Sequence, residues 1–203
     1  YKVVYGNGYW LICEGNGMFA RSTDGLVWTD HQDIGNRSVG FAHNGQNPGI
    51  WVAAHSGNQF YYSTDNGLNW TDSTNKGDST GLNNVKFENG IFFGCGDNSR
   101  LYTSTDGINW TNIGDGSANE PSGWTASDPY PDDIVDIIWT GTNYILTSAS
   151  GIFVSNGSDT SDWTRKFDNL ATWASLLYNS TTNQIIATSN YGYCISGDHG
   201  ATW

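Results

Sequence analysis

Short apolar runs alternate with stretches of Gly, Asn, Asp and Ser along the whole chain, and the alternation repeats in a fixed order. Each repeat contains an apolar strand, an aromatic-rich strand, a third strand that enters a polar turn, and a fourth strand after a Trp. In the first repeat this pattern predicts strands over residues 3–5, 9–13, 18–21 and 28–31. Runs this short, rich in β-branched and aromatic residues and bounded by turn residues, indicate an all-β domain.

The polar turn is itself a repeated string. It is STDGLVW from Ser22, STDNGLNW from Ser63, STDGINW from Ser104, SNGSDTSDW from Ser155 and SGDHGATW from Ser196. The starting residues are 41, 41, 51 and 41 positions apart. Four antiparallel strands in a repeat of this length are typical of a β-propeller blade, which cannot bury both of its faces alone. The sequence therefore predicts a five-bladed β-propeller with these turns between strands three and four.

We predict a single propeller domain with blades over residues 1–33, 34–75, 76–115, 134–168 and 169–203, and an insertion at 113–133 that accounts for the longer spacing. The fifth repeat reaches Trp203 before a fourth strand. We therefore expect the native protein to continue past this residue, or a partner to shield the open edge. A ring of five blades is the simplest interpretation, and a longer ring is the alternative.

The recurring string resembles the Asp-box, or bacterial neuraminidase repeat, with the pattern S-x-D-x-G-x-x-W. The second and fifth strings match in full, the first and third lack one residue before the Gly, and the fourth keeps Ser155 and Trp163 with Asp159 displaced. The resemblance covers essentially the whole chain. It is to propellers without sialidase activity, such as those of phages or secreted bacterial proteins.

The resemblance implies that the string is structural. Its carboxylate accepts N–H groups of its own turn, its Gly supplies a positive φ, and its Trp packs between neighbouring sheets. The residues assigned to this role are Asp24, Trp28, Asp65, Trp70, Asp106, Trp110, Trp163, Asp198 and Trp203.

The net charge of the chain argues against some classes of binding partner. The chain has 8 Lys and Arg residues against 20 Asp and Glu residues, for a net charge of −12. A nucleic-acid groove or an anionic membrane surface needs clustered cations, so neither is predicted as a partner. No apolar run is long enough to span a bilayer, so no membrane insertion is expected. With 14% charged residues, the surface is expected to be neutral and polar, which suits an extracellular or virion protein.

The three cysteines, Cys13, Cys95 and Cys194, fit no zinc-binding spacing. They lie on predicted strands, where a thiol acts as a small apolar side chain, so we expect free thiols rather than a disulfide. No metal or cofactor is predicted. The one alternative is Ca²⁺, which prefers oxygen ligands, on the carboxylate-rich stretch of Asp128, Asp132, Asp133 and Asp136.

Ligand-binding residues are expected on the face opposite the repeated turns, where strands two and three connect. The polar residues predicted there are Glu14, His55, Asp97, Arg100, Asn190 and Tyr191. The insertion adds Trp124, Asp128 and Tyr130, and long loops in compact repeat folds are often functional. An aromatic ring stacks on sugar C–H groups while carboxylates accept hydroxyl hydrogens. The alternatives are ordinary polar turn residues and a Trp124 that folds back over the blade edge.

The sequence contains less evidence for a catalytic site than for a binding site. The resemblance raises sialidase activity, which implies an arginine triad, but the only arginines, Arg21, Arg37, Arg100 and Arg165, are scattered and no Arg-Ile-Pro-like string is present. Other glycosidases need two carboxylates about 5–10 Å apart. Candidates are Glu14 with Asp97, or Asp128 with Asp132 or Asp133.

The interpretation is a non-catalytic, lectin-like recognition module that binds a carbohydrate or a cell-surface receptor through the face opposite the repeated turns. It would belong to a phage tail fibre, another virion component or a secreted bacterial protein, together with other domains or subunits. The alternatives are a glycoside hydrolase or lyase acting on a polysaccharide, and a structural virion or assembly domain.

Overall fold

The structure is a computed structural model that describes residues 2–13, 17–33, 38–57, 59–74, 81–114, 133–149, 151–167 and 173–203. In these ranges the regular secondary structure is entirely β-strand, and each strand pairs antiparallel with its neighbour in sequence. The strands form five sheets, which we call blades 1 to 5 in chain order. The predicted fold class, an all-β five-bladed propeller, is confirmed.

The strand bounds follow the predicted repeat. Blade 1 contains β1 (Lys2–Gly6), β2 (Tyr9–Cys13), β3 (Met18–Ser22) and β4 (Thr29–Asp33). Blade 2 contains β5 (Ser38–His43), β6 (Trp51–His55), β7 (Gln59–Ser63) and β8 (Thr71–Asp72). Blade 3 contains β9 (Leu82–Glu88), β10 (Ile91–Gly96), β11 (Leu101–Ser104) and β12 (Thr111–Gly114). Blade 4 contains β13 (Ile134–Trp139), β14 (Tyr144–Ser148), β15 (Gly151–Asn156) and β16 (Asp159–Phe167), and blade 5 contains β17 (Trp173–Asn179), β18 (Gln184–Ser189) and β19 (Gly192–Ser196).

The fourth strands differ from the prediction in where they begin. In the first three blades the Trp of the repeated string ends the turn, and pairing starts at the following Thr. In blade 4 the fourth strand begins earlier, at Asp159, because residues 157–158 form a tight turn in which Gly157 has φ 63°. The degenerate fourth string therefore makes a different hairpin from the other four.

The chain divides into two compact units. The first comprises Tyr1–Gly94 and Tyr102–Thr111, and the second comprises Cys95–Leu101 and Asn112–Trp203. Within the first unit, one core cluster joins Leu11 and Phe19 of blade 1 to Trp51 of blade 2, and another joins Val52 of blade 2 to Phe92 of blade 3. Within the second unit, a cluster joins Ile145 of blade 4 to residues of blade 5. Within each unit, the core therefore lies between successive sheets.

The cysteines belong to these sheets as apolar residues. Cys13 and Cys95 are buried, Cys194 is half-buried, and none of the three forms a disulfide in the structure. Burial raises the pKa of Cys194 to about 11, so its thiol is protonated at neutral pH. No helix in the described ranges combines the length and apolar character that a membrane span requires.

Candidate functional site

The repeated strings close their own turns, which we call the repeat turns (residues 22–28, 63–70, 104–110, 155–163 and 196–203). In the third, Asp106 Oδ1 accepts the N–H groups of Ile108 at 2.9 Å and Asn109 at 2.8 Å. Ser104 Oγ donates to the same carboxylate at 3.0 Å and accepts the N–H of Gly107 at 2.8 Å. Asp24, Asp65 and Asp198 accept comparable backbone hydrogen bonds in their own turns.

These hydrogen bonds favour the charged form of the turn carboxylates. At Asp106, burial opposes ionisation, but hydrogen bonds from Asn109, Ile108 and Ser104 outweigh it and lower the pKa to about 2. At Asp198, the hydroxyl and N–H of Thr202 lower the pKa to about 2. Carboxylates anchored in this way are unsuited to proton transfer near neutral pH, where an acid or base needs a pKa near the working pH.

The Trp that ends a repeat turn packs against the preceding blade. Trp70 stacks on Phe19 of blade 1 with ring centroids 4.8 Å apart, and Trp110 stacks on Phe60 of blade 2 at 3.7 Å. Trp70 also donates from Nε1 to the carbonyl of Gly67 at 3.2 Å, which fixes the ring against its own turn. Turn geometry and contact between blades are therefore set by the same string.

The fourth repeat turn uses its Ser differently. Ser155 Oγ accepts the N–H of Tyr144 at 2.8 Å and donates to the carbonyl of Gly157 at 2.6 Å. Asp159 accepts the N–H and hydroxyl of Ser161 at 2.8 and 2.7 Å, so its carboxylate holds only its own local turn. Trp163 is nevertheless buried.

At the opposite end of blade 2, His55 is a buried part of the turn between β6 and β7. Its Nδ1 accepts the N–H of Gly57 at 2.8 Å, and its ring meets the ring of Tyr61 edge-on with centroids 6.0 Å apart. With 4% of its surface exposed, His55 shapes this turn and presents little surface to a ligand.

The turn between β10 and β11 contacts Asp133, which directly precedes β13. Asp97 begins this turn and accepts the N–H of Arg100 on its carbonyl at 3.4 Å, while Asp133 Oδ1 accepts the N–H of Asn98 at 3.3 Å. Burial raises the pKa of Asp133, and the charge of Asp97 raises it further. Arg100 is buried. The carboxyl group of Asp133 therefore lies close enough to Asp97 for the charge of Asp97 to raise its pKa.

This pairing of Asp97 with Asp133 differs from the pairs considered in the sequence. The sequence contains a signal for it: the turn after a second strand and the start of a first strand lie at the same end of antiparallel blades. Asp133 directly precedes β13, and Asp97 directly follows β10. The two therefore had to lie at one end of the fold.

In blade 5 the turn between β18 and β19 presents Tyr191, which is 80% exposed. The N–H of Tyr191 donates to Ser189 Oγ at 3.2 Å, so the backbone beneath the ring is tied to the strand end. Asn190 precedes it in the same exposed turn. A large aromatic side chain in this position is available for contact with a ligand.

Several predicted site residues lie outside the described residues. They are Glu14 and, in the insertion, Trp124, Asp128, Tyr130 and Asp132. Asp136, which was considered for calcium, accepts the N–H of Leu176 at 2.9 Å and the hydroxyl of Ser175 at 3.3 Å. Within the described part of the chain, no three His, Cys, Asp or Glu side chains form a group that could hold a metal ion.

Comparisons with known proteins show the fold alone. No protein-family model matches the chain, and no curated protein is similar to it in sequence. Among solved structures, the chain resembles YCF48 bound to D1 peptide, with 16% identity and a TM-score of 0.65 over 95% of this chain and 61% of that one. The computationally designed protein Ika8 gives 10% identity and a TM-score of 0.69 over 95% of this chain and 56% of that one.

A third similar structure is the β-propeller domain of Cps50 (Swd1) from Myceliophteria thermophila, with 8% identity and a TM-score of 0.65 over 93% of this chain and 62% of that one. The chain thus spans about three fifths of the length of these solved proteins. The class that fold and turn geometry define is a β-propeller, an architecture that carries many unrelated functions.

Proposed function

We propose that this propeller is a non-catalytic recognition module that binds a carbohydrate, or another cell-surface ligand, through the turns opposite the repeat turns. We further propose that it is an Asp-box protein of a virion or of the extracellular space. The repeat turns support the non-catalytic part of this proposal. Their carboxylates accept hydrogen bonds from the backbone of their own turns, which makes them unsuited to catalysis.

The observation that carries the proposal is the exposure of Tyr191. A phenol ring that is 80% exposed on a turn tied to its strand end by Ser189 Oγ offers a flat apolar face and a polar hydroxyl at little cost in entropy. Sugars present both C–H faces and hydroxyl groups, so a single tyrosine can stack on the former and hydrogen-bond with the latter. Asn190 adds an amide that donates and accepts hydrogen bonds.

The Asp97–Asp133 pair supports a ligand rich in hydroxyl groups. Carboxylates are strong hydrogen-bond acceptors. Two adjacent carboxylates therefore suit neutral polyols better than anions, which they would repel. We expect neutral or amino sugars to be favoured over sialylated or sulfated ones.

A glycan array tests the proposal, with Tyr191→Ala as the main variant. We expect the wild-type chain to bind a subset of glycans and Tyr191→Ala to lose at least about tenfold in affinity, the scale of one stacked ring worth about 1.5 kcal/mol. Tyr5→Ala is the matched control, since Tyr5 is also exposed (56%) but lies on blade 1, away from these turns. Trp124→Ala tests the insertion separately.

Absence of glycan binding by the wild-type chain would refute the carbohydrate proposal. Binding that Tyr191→Ala leaves intact would refute the assignment of the site. A peptide panel run beside the array examines the other kind of cell-surface ligand, because the similar protein YCF48 was solved with a peptide.

The same carboxylate pair favours one second candidate, a glycoside hydrolase or lyase. Acid–base catalysis by two carboxyl groups requires environments that separate their pKa values, and burial together with Asp97 raises that of Asp133. A reducing-sugar assay on a polysaccharide panel tests it. Turnover that disappears in Asp133→Asn and in Asp97→Asn would support the enzyme, and retention of turnover in both would exclude this site.

A further inference from the structure

His43 ends β5, and its imidazole holds the first turn of the loop that connects β5 to β6 (residues 44–50). Nδ1 of the ring accepts the N–H of Gly45 at 3.1 Å. A ring nitrogen that accepts a hydrogen bond carries no proton, so the neutral ring is protonated at Nε2. The loop is therefore tied to the end of its strand by a group whose hydrogen-bonding role changes when it takes up a proton.

The ring of His43 is enclosed by residues of the first unit. A Cβ added at Gly6 of β1 would lie 2.5 Å from His43 Cγ and Nδ1, and one added at Gly49 of the loop would overlap Nε2. The ring of Trp51, which pairs with His43 across β5 and β6, has its centroid 4.5 Å away. The imidazole thus lies between blade 1, the loop and the fully buried Trp51.

This enclosure does not suit a charged imidazole. His43 Nε2 is buried without a hydrogen-bond partner in the described part of the chain, as is Nε1 of Trp51 beside it. Protonation would add a hydrogen to Nδ1 that points at the N–H of Gly45, which sets two donors against each other. The other ring nitrogen would still lack an acceptor, so the closed loop would hold a poorly solvated cation.

The ionisable residues on the neighbouring strands do not compensate a charge on His43. The strands that pack against β5 are β1, β2, β6 and β9, and the loop itself contains no Asp, Glu, Lys, Arg or His. Tyr9, which pairs with Gly6, has the guanidinium of Arg21 over its ring at 5.1 Å, which is a positive group on this side of blade 1. The other ionisable residues on these strands are Lys2, Tyr5, Cys13, His55, Lys86 and Glu88. Burial lowers the pKa of His43, and none of these groups contributes to the shift.

The loop also takes part in the packing of blade 2 against blade 3. Its two ends are linked, since the N–H of Asn44 donates to the carbonyl of Ile50 at 3.2 Å and Asn44 Oδ1 accepts the N–H of Ile50 at 3.1 Å. Ile50 packs against the core cluster that blades 2 and 3 share, and a Cβ added at Gly107 of blade 3 would lie 3.0 Å from Ile50 Cγ2. A movement of the loop would therefore alter a contact between blades.

We propose that His43 is an acid-sensitive latch, whose neutral ring holds the loop closed and whose protonation releases it. In the open state the ring is in water and takes up a proton at the usual pKa of about 6.5. In the closed state burial lowers the pKa, so the proton binds only at a lower pH. Closure is therefore most stable above about pH 6.5 and weakens as the pH falls through that value toward the pKa of the closed state. The signal is mild acid, to which histidine responds.

His55 provides a matched control at the other end of blade 2. Its Nδ1 accepts the N–H of Gly57 at 2.8 Å, so it holds a turn through the same contact with the residue two positions later. That turn connects β6 to β7 and does not include the loop. An effect of acid on residues 44–50 should therefore depend on His43 and not on His55.

Long-range 1H–15N NMR of the imidazoles tests the ring in the wild-type chain, which contains four histidines. At about pH 7.5, where histidine is normally neutral, we expect His43 to be unprotonated at Nδ1 and protonated at Nε2. We expect it to titrate below about pH 6.5. A ring that carries its proton on Nδ1 in the neutral form, or that titrates at or above this value, would overturn the proposal.

Amide hydrogen exchange, corrected for the intrinsic effect of pH, measures the opening of the loop. We expect the protection of Gly45 and Ile50 to fall at least about fivefold between about pH 7.5 and pH 5, the scale of one lost hydrogen bond. The pKa of Asp106 and of Asp198 is about 2, so the repeat-turn carboxylates stay charged over this range.

Two substitutions assign the response to its residue. His43→Asn keeps an acceptor for the N–H of Gly45, because an Asn side chain closes the same kind of turn, but it does not titrate. Its loop should lose no protection in acid, whereas the loop in His55→Asn should respond like the wild type. Unchanged protection in the wild type, a loss that persists in His43→Asn, or a loss that disappears in His55→Asn would each contradict the latch. Thermal melts establish that the variants are folded, and if His43→Asn is not, the imidazole titration of the wild-type chain decides.

Discussion

Gly67→Ala should destabilise the first unit more than Gly25→Ala does, although the two glycines occupy corresponding repeat turns. Their φ angles are nearly the same, 78° and 74°. The new Cβ at residue 67 would lie 2.5 Å from Leu11 Cδ2 and 3.2 Å from Leu11 Cγ, whereas the nearest atom at residue 25 is Trp10 Nε1 at 3.9 Å. The pair therefore separates the effect of packing between blades from the cost of a positive φ.

The magnitude follows from two contributions. A left-handed conformation costs a non-glycine residue about 1–2 kcal/mol, and this cost is common to both variants. Overpacking in a well-packed core adds about 1–3 kcal/mol, and it applies only at Gly67. The free energy of unfolding should thus differ by about 1–3 kcal/mol between the variants, or about 2–12 °C in Tm for a chain of this size.

Urea unfolding followed by Trp fluorescence provides the assay. Leu11→Ala in the Gly67→Ala background should recover part of the loss, since it removes the atoms that clash. Equal destabilisation by the two glycine variants would refute the reasoning. It would show that Leu11 moves aside and that the glycine does not set the approach of blades 1 and 2.

Two further predictions concern carboxylates. The pKa values of Asp106 and Asp198 are about 2 in the folded chain, below the usual 3.8, so their stabilisation is complete above about pH 4 and is lost as the pH falls toward 2. Urea midpoints between pH 7 and 2 should show this decline, with a shallower slope in Asp106→Asn; a slope equal to that of the wild type would contradict it. Asp136→Ala should lower the free energy of unfolding by about 1–3 kcal/mol, because the buried N–H of Leu176 loses its acceptor. Asp136→Asn, which keeps an oxygen acceptor, should lose less in the same unfolding measurement, and equal losses would argue against this hydrogen bond.

Most of the fold could be predicted from the sequence because a hairpin with the same structural requirements recurs in every blade. Each hairpin between strands three and four needs a carboxylate to hold its N–H groups, a residue with positive φ and a ring that fills the space before the preceding blade. The string from Ser104 to Trp110 meets all three requirements with seven residues. The fourth string departs from the pattern, and its hairpin departs too, with Gly157 forming a tighter turn.

The candidate site was less predictable, because its residues are single and not repeated. The pattern placed His55 at the correct end of blade 2, but periodicity does not show that its ring would be buried and its Nδ1 engaged by Gly57. Asp97 and Asp133 are 36 positions apart in the sequence, and their proximity depends on how a connection between blades runs. Exposure of Tyr191 likewise depends on what covers the turn, which no local pattern encodes.

The repeated string also shows why similar sequences need not have similar roles. Gly67 and Gly107 are buried because a preceding blade provides Leu11 and Val52 to pack against, while Gly25 has the same turn and φ without such a neighbour. Whether a repeat turn contributes to packing between blades therefore depends on the side chain that faces its glycine. Because burial of apolar area drives folding, the same string stabilises the fold to a different extent at each of its copies.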